Sequence, residues 1–93
     1  MKYEEEVEEF RKNINRLDEE IVEKLAQRLA VAVRIGAVKR KYGRPIVDPT
    51  REALVYGRVQ ELARTHCLDE VRVERIFREI IGLCTEAQVK DKP

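Results

Sequence analysis

One apolar repeat constrains this chain more than any other feature. Val7, Phe10, Ile14, Leu17 and Ile21 are spaced three and four residues apart, and the same frame continues through Val31, Ile35 and Val38. Such spacing marks one face of an α-helix, and it predicts a single helix over about 3–41. Glu4, Glu5, Glu6, Glu8 and Glu9 fall in the first turns, where the positive end of the helix dipole favours acids. Only Gly36 interrupts the run, at about 1 kcal/mol relative to alanine, and Gly43 followed by Pro45 ends it. A helix of that length spans roughly 58 Å at about 1.5 Å per residue. A compact domain of 93 residues has a radius of gyration of about 12 Å and a body roughly 32 Å across. The helix must therefore either break, with Gly36 the place for it, or have its stripe covered by a second copy. An intertwined homodimer is the expectation, in keeping with the commonest kind of oligomer.

Two further helices follow from their caps. Asp48 at N-cap and Pro49 at the first helical position open the second, over about 49–64, with Leu54, Val55, Val59 and Leu62 along it. After Thr65-His66-Cys67-Leu68, Asp69 caps the third, over about 70–89. That helix puts Val73, Ile76, Phe77, Ile80, Ile81 and Cys84 on one face. No segment alternates as a strand would. The fold class expected is all-α, three helices with a very long first one, in a single domain over 1–93 with no room for a second catalytic or regulatory domain.

Composition narrows the partners. Lys and Arg number 19 against 18 Asp and Glu, a formal charge of +1, so bulk electrostatics will not hold nucleic acid or an anionic membrane. Apolar residues are 43%, too many for a disordered chain. The opening Met1-Lys2-Tyr3-Glu4-Glu5-Glu6 has no apolar leader, and no window approaches the roughly 18 apolar residues of a membrane span. A cytoplasmic chain is expected, with Cys67 and Cys84 as free thiols. There is no Cys-x-x-Cys pair, and the single histidine, His66, has no ligand set around it, so no metal is expected.

The residues that break the apolar frame carry the chemistry. Counting sevens from Val7, Ile14 and Ile21 reaches Arg28 before Ile35, and a guanidinium on such a stripe is expensive unless an anion or acid meets it. Lys39, eleven residues on, lies within roughly 20° of Arg28 around the helix. Gln88 continues the stripe of Phe77, Ile80, Ile81 and Cys84. Each has an ordinary explanation when taken singly. Arg28 could be ion-paired or snorkelling, Lys39 could complement the helix dipole, and Asp48 is explained by capping. Arg51 and Glu52 suit a first turn, Gln88 the start of the tail, and Cys84 a small core site.

Together they are specific. Arg11, Arg28, Lys39, Asp48, Arg51, Glu52 and Gln88, with Arg44-Pro45-Ile46-Val47-Asp48-Pro49-Thr50-Arg51-Glu52 joining the first two helices, resemble the all-helical (AroQ) class of chorismate mutases. Phe10-Arg11-Lys12-Asn13-Ile14-Asn15-Arg16-Leu17-Asp18, Leu25-Ala26-Gln27-Arg28, Ile35-Gly36-Ala37-Val38-Lys39 and Ile76-Phe77-Arg78-Glu79-Ile80-Ile81 are similar in the same way. The resemblance covers about residues 7–89 without a large gap. It implies an intertwined three-helix dimer whose two sites each draw on both chains, converting chorismate to prephenate without a cofactor. Arg28, Lys39, Glu52 and Gln88 would be catalytic. Arg11, Asp48, Arg51 and Cys84 would bind substrate. Arg11 lies roughly 25 Å from Arg28 at about 1.5 Å per residue, so by this resemblance it reaches into the partner's site. Cys84 stands where the family often has serine; a thiol donates weakly, and a modest change in substrate binding is expected. Two other functions compete. One is an isochorismate–pyruvate lyase on the same scaffold; Glu52, placed to accept from chorismate's hydroxyl, argues against it. The other is a non-enzymatic dimerisation or nucleic-acid-binding module using Lys39, Arg40, Lys41 and Arg44. Overall neutrality and inward-facing cations count against that.

Overall fold

A computed structural model describes residues 2–91, and among them the chain is all helix and connection, with no strand. Helix α1 runs Lys2–Lys41, α2 Pro49–Thr65 and α3 Glu70–Lys90. Helix α3 packs against both α1 and α2, which do not pack on each other. The chain is elongated, 62 × 30 × 15 Å, with a radius of gyration of 17.4 Å against the about 12 Å of a compact chain this size.

Helix α1 does not break at Gly36. That glycine is buried, and a β-carbon there would stand 3.0 Å from Gln88 Cγ and 3.1 Å from Gln88 Cβ. The residue that weakens the helix locally is therefore the one that lets α3 approach it. Beyond Leu25, α1 turns Leu29, Ala32, Val33 and Gly36 toward α3. Before Leu25 it projects alone, with Phe10, Ile14, Leu17 and Ile21 between 45% and 69% exposed. Val31, Ile35 and Val38 are also half exposed, although they lie in the packed half. The large residues of the apolar frame thus stay exposed, and a neighbouring row, Leu29, Ala32, Val33 and Gly36, seats α3.

The second helix meets the third through buried Val59 and Ala63. A polar clasp closes the same contact. Glu74 accepts from Gln60 and from Arg78, whose guanidinium also lies 4.3 Å from the centre of the Tyr56 ring. Arg78 foremost, then Gln60, holds the Glu74 carboxyl below its usual range. The Asp48 and Asp69 side chains accept from the backbone N–H groups of Arg51 (3.1 Å) and Arg72 (2.8 Å), capping α2 and α3.

Helices α1 and α2 end in the same hydrogen-bonded turn. At α1, Arg44 N–H donates to the Lys39 carbonyl (2.8 Å) and Gly43 N–H to that of Arg40 (3.2 Å), with Gly43 at φ +64°. At α2, Leu68 N–H donates to Ala63 (2.8 Å) and Cys67 N–H to Arg64 (3.2 Å), with Cys67 at φ 58°. This left-handed position suits glycine, whereas a β-carbon there costs about 1–2 kcal/mol. Part of that cost returns as the greater freedom of an unfolded glycine. Cys67→Gly is expected to stabilise the protein by about 0.5–1 kcal/mol, read as a higher Tm by circular dichroism. A Tm equal to or below the parent's would contradict this account of the turn.

Candidate active site

The open angle between α1 and α2, floored by α3, holds a cleft of about 560 Å³, within the range typical of small-molecule sites. Helix α1 contributes Lys24, Gln27, Arg28, Val31, Ile35 and Lys39 to its wall. The connection and the start of α2 bring Ile46, Asp48, Arg51, Glu52 and Val55, and α3 brings Ile81, Cys84, Thr85 and Gln88. Of the residues singled out in the sequence, Arg28, Lys39, Asp48, Arg51, Glu52, Cys84 and Gln88 meet here. Arg11 does not. It lies on the projecting half of α1, 58% exposed at its side chain and 3.9 Å from Glu8.

Local bonds fix the wall. Arg28 forms no ion pair among the described residues; its guanidinium donates to buried Cys84 Sγ at 3.1 Å. The thiol therefore orients the arginine, a contact that leaves the other guanidinium hydrogens for a ligand. Lys39 Nζ donates to the Ile46 carbonyl at 2.7 Å, tying the α1–α2 connection down over the cleft. An ammonium carries three hydrogens, so this bond orients the charge without using it up. Gln88, 8% exposed, donates from Nε2 to the Ala32 carbonyl at 2.7 Å, which takes one of two amide hydrogens.

The charge balance is one-sided. Lys24, Arg28, Lys39 and Arg51 line the cleft, facing Asp48 and Glu52. Asp48 is already occupied as a cap, and none of the four cations forms an ion pair with the described residues. Cations so gathered beside apolar residues favour a small anionic ligand. Among the described residues no cluster of three or more His, Cys, Asp or Glu is arranged to hold a metal ion, and no helix is long and apolar enough to cross a membrane.

Three polar lining residues were not picked out from the sequence: Lys24, Gln27 and Thr85. Lys24 precedes Arg28 by four residues and so shares its face, a signal that was available. Thr85 lies four residues after Ile81 and three before Gln88, again one helical face.

The chorismate mutase type II family matches residues 10–89. The chain is 35% identical over 77 residues to the chorismate mutase of Methanocaldococcus jannaschii, covering 83% of this chain and 78% of that protein. It is 36% identical over 91 residues to the bifunctional chorismate mutase/prephenate dehydratase of Aquifex aeolicus, covering 95% of this chain but only 25% of the larger protein. With the 4-amino-4-deoxychorismate mutase of Streptomyces venezuelae it shares 30% identity over 76 residues, 82% of this chain and 74% of that one.

Proposed function

The chain belongs to the chorismate mutase type II family, and we propose that it acts as an isomerase on chorismate, giving prephenate, in the cleft between α1 and α2. The observation that carries this reading is the set of four unpaired cations with Gln88 around an otherwise largely apolar space. The reaction is internal to the substrate. The ether C–O bond breaks as a C–C bond forms across the ring, so no nucleophile or proton relay is required. What the protein supplies is a folded substrate conformation and donors aimed at the charge that develops on the ether oxygen.

Each residue has a role suited to its bonds. Arg28, steadied by Cys84, offers its planar fork to one carboxylate, with Arg51 assisting. Lys39 and Gln88 donate to the ether oxygen, each held in place through one hydrogen while others stay available. Glu52 and the backbone at Asp48 accept from the ring hydroxyl. Arg11 belongs to the neighbouring site, entering from the partner in a homodimer.

Surface area supports that dimer. The protomer exposes 7860 Å², about 2,300 Å² more than a compact chain of this mass would. A stable interface buries about 800 Å² per partner. Among the described residues the buried hydrophobic core is only Ala32, Val59, Ala63 and Cys84, and no large side chain is fully buried. A second copy laid along the projecting half of α1 would cover Phe10, Ile14, Leu17 and Ile21. We place the enzyme in the cytoplasm, in phenylalanine and tyrosine biosynthesis, with both cysteines as thiols.

Incubating the purified protein with chorismate is expected to consume it and yield prephenate, identified by NMR. Inertness toward chorismate, with pyruvate released from isochorismate instead, would replace this assignment with a lyase. A preference for the 4-amino analogue would move it toward the substrate named for the Streptomyces relative.

A further inference from the structure

Gln88 stands in a precarious place for a residue that must hold one atom still. Helix α3 ends at Lys90, so the carbonyls of Ala87–Lys90 have no partner within the helix, and this is the turn that frays first. Asp91 N–H reaches back to the Ala87 carbonyl at 3.0 Å. The Gln88 carbonyl is met from outside: Arg40 of α1 donates to it at 3.2 Å, and the same guanidinium donates to Asp91 Oδ2 at 3.0 Å. One turn back along α1, Gly36 leaves the space into which Cβ and Cγ of Gln88 fit, and a turn further back Ala32 accepts from its amide. Ala32, Gly36 and Arg40 are spaced by fours, so they form one row on the helix surface. That row holds Gln88 at its amide, its stem and its backbone.

We propose that Arg40 is a positioning residue for Gln88. Through the Gln88 carbonyl and Asp91 it clamps the last turn of α3 to α1, and so fixes the donor that Gln88 presents to the cleft. Arg40 does not line the cleft, so it touches no substrate. Its partners also explain its place in the chain: it follows Lys39 directly, and neighbouring residues of one helix serve the ligand and the ligand's holder. The effect on catalysis rests on the mutase reading above, whereas the clamp itself does not.

The test is a double-mutant cycle on the full chain. Arg40→Ala is expected to lower kcat about ten- to a hundredfold, the scale of a misplacement of about an ångström, with KM changed less than about threefold. In a Gln88→Ala background the same substitution should add less than about twofold. Arg40→Lys, which can reach one of the two acceptors, should recover part of the loss. Equal loss from Arg40→Ala in both backgrounds, or wild-type kcat, would overturn the proposal. Amide hydrogen exchange supplies an arm independent of turnover: residues 87–91 should exchange faster in Arg40→Ala, with protection elsewhere in α2 and α3 unchanged. If the parent protein proves inactive on chorismate, the mutase reading fails while this arm still decides the clamp. Should Arg40→Ala not fold, Asp91→Ala, which leaves the guanidinium but loosens it, should show the same faster exchange. Unchanged exchange there would reject the clamp.

Discussion

Arg28→Ala and Lys39→Ala chains are expected to fold as the parent does and to lose at least two orders of magnitude in kcat/KM, the scale of removing one charge-stabilising donor. Neither side chain belongs to the small buried core. Arg28 leaves behind a thiol, and Lys39 leaves the Ile46 carbonyl of an exposed connection, which water can satisfy. The fold therefore has little to lose. The two variants should differ in kind. In the proposed reaction Arg28 meets a carboxylate already present in the ground state, so its removal should raise KM as well as lower kcat. In the same proposal Lys39 meets charge that grows only as the ether bond breaks, so its loss should fall mainly on kcat. Arg28→Lys should recover little, because an ammonium cannot reproduce the guanidinium fork. Steady-state kinetics beside circular dichroism would settle it. Either alanine variant within tenfold of the parent, and folded, would mean that the reaction occurs elsewhere.

The three helices were legible because their signals are local. Asp48-Pro49 and Asp69 mark the starts of α2 and α3, and Gly43 the end of α1, by chemistry contained within a few residues. The packing was less legible, for a definite reason. Hydrophobic periodicity weighs large side chains, and α3 is seated on Ala32 and Gly36, which it scores as weak or disruptive. Gly36 could be read as an interruption, but its purpose depends on Gln88, 52 positions away. Arg28 and Lys39 stood out because a cation is conspicuous on an apolar face. The bond between Arg28 and Cys84 joins residues 56 apart. No pattern within either helix encodes it, and it gives Cys84, which also lines the cleft, a bond to Arg28.

Arg11 poses a different problem, because one chain contains no route by which it could serve its own cleft. It is fixed on a continuous helix about 25 Å from Arg28 at about 1.5 Å per residue, and no glycine or proline lies between them. If it acts, it acts on a second copy. A mixing experiment then has a numerical outcome. Arg11→Ala and Arg28→Ala homodimers should each be nearly inactive, since every site in either one lacks an arginine. Unfolded together in equal amounts and refolded, the chains should distribute at random, so about half of the dimers contain one of each. Within such a dimer one site has both arginines and the other has neither. The mixture should therefore recover about a quarter of wild-type activity per chain. Activity no greater than the mean of the two variants would mean that Arg11 does not cross between protomers. A stable monomer in sedimentation at micromolar concentration would remove the second copy altogether, and the exposed face of α1 would need another cover. Recovery near one quarter has no such alternative, because only a site assembled from two chains can be mended by two defects placed on different chains.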